Sequence, residues 1–423
     1  MPYQAQYRHC QYFMIRLVKS FWKASYQMNK IPTNIALIIL MFNMFIAMAG
    51  VGLIIPIMPE FLATFGVAGR ALGLLIAMFS FAQFIFSPIS GNLSDKYGRK
   101  NIIIFGLMIY GLSQLAFSLS TELWMLYVAR FFSGFGAAFI VPPTMAFVAD
   151  ITSIKNRGRG MGLLGASMSL GFMIGPGIGG FLSKISLYFP FYFAASASVL
   201  AAVVSLLLLP NPKPVVQGIT LNENIFQQMR RSTQTPYFVM LIVMFVFSFG
   251  LANFQSTISL YVDQKYNYTP SQIAVIITVG GFVGVIIQTF VIDRLFKRFG
   301  EMRIILINLV IAAFAMLGIL FVNTFFTILL VATIFSTTTA LLRPAVNTLV
   351  SKLAGQEQGY AAGMMNAYMS LGNMIGPATA GYIFDINRES PYIVGTIILL
   401  LCFILALYWA RNNKSLIESA RTS

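Results

Sequence analysis

The stretch MSLGFMIGP at residues 168–176 returns as MSLGNMIGP at residues 369–377, eight of nine letters unchanged at an offset of 201. Self-similarity at a fixed offset is the first thing to settle, because it can dictate the whole architecture. In a chain of 423 residues this offset is far too long for a solenoid unit and close to half the length. The chain therefore reads as two homologous halves joined end to end.

Composition says what surrounds them. Hydrophobic residues make up 58% and charged residues 9%, against roughly 45–50% and about 25% in soluble domains. A single water-soluble core has no room for that surplus. Apolar runs near the ~20 residues that a helix needs to cross ~30 Å of hydrocarbon recur at 34–58, 71–91, 101–120, 123–149, 160–183, 189–210, 236–261, 271–292, 302–322, 325–350, 359–384 and 391–410. Six fall in each half. Backbone groups in lipid must be satisfied within the segment, so uniformly apolar runs of this length are helices rather than the alternating strands of a barrel.

The net charge of +16 follows membrane orientation rather than nucleic-acid binding. With the N-terminus in the cytoplasm, 22 Lys and Arg fall in the inside segments, four (Arg70, Lys184, Lys265, Arg388) fall outside, and Arg130 and Arg343 lie within spans. Both termini are then cytoplasmic. The expected organisation is a basic cytoplasmic extension (1–33), a six-helix bundle (34–210), a cytoplasmic linker (211–235), a second six-helix bundle (236–410) and a cytoplasmic tail (411–423). Residues 1–27 precede a second methionine, Met28, lack the apolar core and cleavage site of a signal peptide, and are given no function.

Catalytic chemistry finds little material. The two cysteines, Cys10 and Cys402, offer neither a disulfide framework nor a metal cluster, and the single histidine, His9, lies outside the bundle. No nucleotide loop or nucleophile constellation appears, so an enzyme is not expected.

Twelve helices in two pseudo-symmetric halves around a polar linker match the parallel-repeat plan of the major facilitator fold. GNLSDKYGRK (91–100) resembles the signature loop between helices 2 and 3 of that superfamily, ARFFSGFGAAF (129–139) its helix 4 motif, and GASMSLGFMIGPGIGGF (165–181) the helix 5 motif of proton-driven antiporters. GVGLIIPIMPEFL, VADIT, PFYFAA, SFGLANF and LLRPAVNT are similar to bacterial quinolone and multidrug efflux pumps of the NorA and Bmr type. The resemblance implies a 12-helix drug:proton antiporter of the bacterial cell membrane. It would export amphipathic compounds, with a proton gradient as energy source, no cofactor or metal, no nucleic-acid partner, and the bilayer around a monomer. A dedicated exporter of a native metabolite or lipid precursor is the alternative on the same scaffold.

Candidate residues fall into four groups. Gly91, Asp95, Lys96, Gly98, Arg99 and Lys100, with Asp150 as a second acceptor, read as a charge latch closing the cytoplasmic gate, Asp95 also serving as a cap for helix 3. The corresponding loop at 293–303 keeps an acid, basic residues and a glycine but not their spacing. Arg130, Asp150 and Arg343 are the coupling candidates, since an arginine at mid-span costs roughly 2.5–3.5 kcal/mol and has to face water or a partner. Asn43, Met48, Gln83, Phe172, Gln255, Arg343 and Asn366 are candidates for the substrate cavity.

Gly171, Gly175 and Gly179 recur every four residues as a smooth ridge, followed by Gly180. Gly372 and Gly376 repeat it, and Pro176 and Pro377 each remove a backbone donor. The expected role is tight packing, with helix 5 set against the glycine-bearing helix 8 to seal the cavity. One departure stands out. Pumps of this type commonly carry carboxylates in helices 7 and 10, where this chain has Gln255 and Ala340. None of the twelve acids falls in mid-span, so the cavity should favour zwitterions, anions or neutral amphiphiles over cations.

Overall fold

The computed structural model describes residues 33–152, 154–210, 225–354 and 358–422, and every regular element among them is helical. Most of the N-terminal extension and residues 211–224 of the linker lie outside the described residues. The long helices are α1 (Thr33–Ile54), α2 (Gly69–Tyr97), α3 (Arg99–Ser118), α4 (Leu123–Ala138, resumed as Val141–Ile151), α5 (Ile154–Leu182) and α6 (Phe189–Leu208), then α7 (Phe238–Tyr266), α8 (Pro270–Phe290), α9 (Glu301–Gly318), α10 (Phe325–Ala354), α11 (Gln358–Ile386) and α12 (Ser390–Asn412). Short helices at Met58–Ala63, Ile225–Ser232, Ile292–Phe299 and Lys414–Thr422 fill the connections and the tail.

Local chemistry sets the boundaries. The break in α4 precedes Pro142 and Pro143, which sit in the first turn of the resumed helix, where a missing N–H costs nothing. Near the far end of α1 the chain stops at Ile54 before Pro56, and Pro59 opens the next short helix. Helix α7 outruns its apolar stretch by more than a turn and ends at Asn267, whose left-handed conformation (φ 53°) returns its N–H to Asp263. Two residues later Thr269 and Gln272 form a reciprocal capping box that starts α8. Helix α5 runs through Pro176 and α11 through Pro377 without interruption.

Eleven of these helices are long and apolar enough to cross a membrane by length and composition. The twelfth, α11, has 29 residues but carries Asn366, Asn373, five glycines and three tyrosines along its length. Its position explains that composition. It packs mainly against α7 of its own half and α2 of the other, so small and polar residues serve where lipid-facing ones would not.

Each half follows one packing scheme. In the first, α1 lies on α5 and α6, α3 on α4 and α6, and α2 on α4; α7 to α12 repeat this with every index raised by six. The halves meet along two seams, α2 with α11 and α5 with α8. One end of the bundle carries loop 91–100 and the starts of α1, α3 and α5, and is termed the basic end; the other is the distal end. A single hydrophobic core runs from the distal part of the first half (Leu53, Phe61, Phe117, Phe191) into the second (Phe254, Phe335, Tyr392). The core nearer the basic end of the first half, with Leu40, Met44, Tyr110 and Phe147, is separate from it. The halves share a core at one end only.

Candidate functional site

At the distal end both seams are closed to backbone contact. A Cβ added to Gly73 of α2 would overlap the Pro377 carbonyl and lie 3.1 Å from Gly381 Cα, and one added to Gly381 would lie 2.9 Å from the carbonyl carbon of Gly69. Asp385, in the last turn of α11, accepts hydrogen bonds from the N–H groups of Gly69 (3.0 Å) and Arg70 (2.9 Å) at the start of α2. On the other seam a Cβ at Gly180 would lie 2.8 Å from the Pro270 carbonyl, and Ser271 Oγ donates to the Gly180 carbonyl at 3.0 Å. The basic end differs. Added Cβ atoms on Gly91 of α2, Gly162 and Gly165 of α5 and Gly363 of α11 would meet nothing within 4 Å. The bundle is therefore sealed at the distal end and parted at the basic end.

The repeated glycine ridge does not face α8. Added Cβ atoms at Gly171, Gly175 and Gly179 would run into the backbone of α1 at Phe45, Ala49 and Leu53, and those at Gly372 and Gly376 into α7 at Phe245 and Phe249. The expected seal by this ridge is corrected: glycines four residues apart share one face of a helix, and that face packs inside its own half. The seam with α8 is made by a different face of α5, through Met173, Gly177 and Gly180, with Met173 Cγ 3.3 Å from a Cβ on Gly281. Gly280 and Gly284 of α8 turn instead to Ser336 and Ala340 of α10. Of the predicted packing residues, two supply a close approach across the halves: Gly180, against Pro270 of α8, and Pro377, through its carbonyl against Gly73 of α2.

The charged cluster at residues 91–100 centres on Arg99. Its guanidinium binds Asp95 at 2.8 Å, Ser94 Oγ at 3.1 Å and Asp150 at the end of α4 through Nε. Asp95 does not cap α3; Gly98 occupies that place with φ 90°, a conformation open to glycine, and no side chain bonds the exposed N–H groups. Lys100 is buried and donates to the Leu209 carbonyl at 2.7 Å, neutralising the C-terminal end of α6. Lys96 is exposed beside Tyr97. All these contacts lie within the first half and are formed while the basic end is open.

A counterpart exists in the second half with its signs exchanged. Gly300 (φ 77°) precedes α9 as Gly98 precedes α3, and Glu301 pairs with Lys352 at the end of α10 at 2.9 Å. Residues 98, 99 and 150 thus correspond to 300, 301 and 352 at a common offset of 202, so an acid stands where the first half has a base. Glu301→Lys should loosen the joint between α9 and α10 and lower the thermal midpoint, and adding Lys352→Glu should restore it. A double variant no more stable than the single one, measured by thermal unfolding in detergent, would remove the pair from the account.

The remaining candidates separate by exposure. Asn43 is fully buried and donates to Ser205 Oγ of α6 at 2.8 Å, so it belongs to the packing between α1 and α6 and not to an open wall. Met48, Gln83, Phe172 and Gln255 are half-buried; Asn366 is exposed on α11, three residues from the open Gly363. Arg130 is buried and stacked on Phe117 at 4.8 Å. Its Nε lacks a hydrogen-bond partner among the described residues, as do both side-chain polar atoms of Gln114 one turn from Phe117. Arg343, in the middle of α10, is exposed.

Sequence reasoning missed Asp385, Gly69, Gly73, Gly381 and the Glu301–Lys352 pair. The repeat itself held the signal for Gly381, which stands 201 residues after Gly180.

The model of the Major Facilitator Superfamily matches residues 40–357 and 240–422. The chain is 40% identical over 378 residues to multidrug resistance protein 1 of Bacillus subtilis, covering 89% of this chain and 96% of that protein. It is 33% identical over 386 residues to the quinolone resistance protein NorA of Staphylococcus aureus, covering 91% and 99%. Among solved structures, a bacterial homologue of the human lysosomal transporter Spinster, in an inward-facing and occupied conformation, superimposes with a TM-score of 0.72 at 14% identity, covering 89% of this chain and 97% of that one.

Proposed function

The chain belongs to the major facilitator superfamily, and from that membership we propose that it exports amphipathic compounds from the cytoplasm in exchange for protons by alternating access. The observation that carries this reading is the inequality of its two ends. Backbone contacts seal the distal end along both seams, while Gly91, Gly162, Gly165 and Gly363 stand clear of any neighbour at the basic end. A carrier caught with one side open looks like this; a channel or a static scaffold gains nothing from it.

The excess of Lys and Arg at the basic end supports placing that end, and both termini, in the cytoplasm. The conformer is then inward-open. Substrate enters between the halves from the cytoplasm or inner leaflet, the halves rock to part the distal seams, and proton return resets the carrier. The energy comes from the proton gradient, no chemical step is required, and a single chain provides the whole path.

Asp150 is the proton carrier in this scheme. It sits beside Arg99 at the mouth of the opening, so a proton on its carboxylate would release Arg99 and couple charge to the joint between α3 and α4. An exposed Arg343 in mid-helix, with Gln255 and Ala340 in place of carboxylates, supports carboxylate-bearing or neutral substrates over permanent cations. The same residues favour the second reading, a dedicated exporter of an anionic metabolite or lipid precursor.

Purified protein in inside-out liposomes with an imposed pH gradient tests the proposal. Gradient-dependent accumulation of a zwitterionic quinolone, stronger than that of ethidium and lost in Asp150→Asn, is expected. Accumulation of neither compound by folded protein would move the reading to the dedicated exporter, and proton-driven uptake by Asp150→Asn would displace that residue from its role.

A further inference from the structure

The seam between α2 and α11 joins a carboxylate to two backbone N–H groups in addition to its glycines, and we infer that Asp385 is the residue that keeps the distal gate shut. The inference rests on the alternating-access reading above and adds the group that sets its equilibrium. Asp385 Oδ1 and Oδ2 each accept a separate N–H, from Gly69 and Arg70, 316 and 315 residues away in the chain. The first N–H groups of a helix have no partner within it, and they carry the positive end of the helix dipole. Helix α2 starts at Gly69 after Ala68, and no side chain of its own caps it. The first half therefore leaves its cap to be supplied by the second.

The geometry makes the contact conditional. Gly69, Gly73 and Gly381 let the two backbones approach closely enough for a short aspartate side chain to span the seam. Arg70 lies over the Tyr382 ring at 5.7 Å, one turn before Asp385 on α11, so the same step of α2 meets α11 twice. When the distal end parts, Asp385 loses both donors at once and α2 loses its cap. On the other seam, among the described residues, the hydrogen bond that crosses between the halves, Ser271 Oγ to the Gly180 carbonyl, is a single neutral one. Charge-assisted bonds are about twice as strong as neutral ones, so the α2–α11 seam dominates the gate.

Asp385 is a positioning residue, and its removal should change which conformer is populated more than how the substrate is held. Spin labels at the exposed distal positions Thr121 and Asn323, one in each half, in a background without Cys10 and Cys402, report the opening in lipid nanodiscs. Asp385→Ala should raise the ratio of long to short distances by at least about tenfold over the parent protein. Its KM for cytoplasmic substrate should rise by the factor by which the inward-open fraction falls, with kcat changed less. A general loss of structure would lower kcat and leave the distances of the folded fraction alone.

A backbone variant isolates the contact. Proline is tolerated in the first turn of a helix, so Arg70→Pro deletes one donor without breaking α2, while Arg70→Ala keeps the donor and loses only the cation. Arg70→Pro should shift the distances toward open, Arg70→Ala much less, and Arg70→Pro should add little once Asp385 is alanine. Unchanged distances in both Asp385→Ala and Arg70→Pro, where the parent protein shows two populations, would overturn the gate and leave alternating access standing. A parent protein with one distance under every pH and substrate condition would overturn both.

Discussion

Valine at Gly179 is expected to remove most of the folded protein, whereas valine at Gly381 is expected to leave it folded with its distal end held open. Both glycines lie against backbone: a Cβ at Gly179 would sit 2.8 Å from the carbonyl carbon of Leu53, and one at Gly381 2.9 Å from that of Gly69. Forcing extra atoms into a packed contact costs typically ~1–3 kcal/mol, and the cost falls only where the neighbours can yield. At Gly179 they cannot. Helices α1 and α5 belong to one six-helix half, share a ridge with Gly171 and Gly175, and part only if that half comes apart. At Gly381 the strain has an exit, because α11 and α2 belong to different halves that separate in the proposed cycle. Yield and monodispersity on size-exclusion chromatography check the first expectation, and the Thr121–Asn323 distance checks the second. A Gly381→Val protein with the closed distance of the parent would show that this seam does not govern access.

That contrast marks what was readable in the letters alone. The recurrence of MSLGxMIGP exposed the duplication, and apolar run length placed the helices, because helix hydrogen bonding in lipid leaves few alternatives. Spacing of four residues identified a ridge but not its partner. A helix has several faces, and Gly171 and Gly180, nine residues apart, point to different neighbours: the first to α1, the second to α8. Asp385 was passed over because it stands at a helix end far from mid-span, and its value comes from two N–H groups more than 300 positions away. Glu301 and Lys352 escaped notice for another reason. A search for a repeated motif looks for the same residue, while an ion pair survives exchange of its signs.

Arg343→Ala should raise the KM for a carboxylate-bearing substrate at least about tenfold, the range expected for loss of a charge-assisted hydrogen bond, and leave a neutral amphiphile nearly unaffected. Arg130 is the weaker choice for this role. It is 7% exposed and stacked on Phe117, so a substrate would have to displace packed protein to reach it. Arg343 needs no such displacement, since it is exposed on the same helix as Ala340. The converse substitution sharpens the point. Ala340→Asp puts a carboxylate one turn from Arg343, where the two would neutralise each other and remove the penalty on permanent cations. Ethidium uptake should then increase while quinolone uptake falls, in the same liposomes and at the same gradient. If both substrates respond alike to both substitutions, Arg343 is holding the bundle together and the preference for anions has to be sought elsewhere in the path.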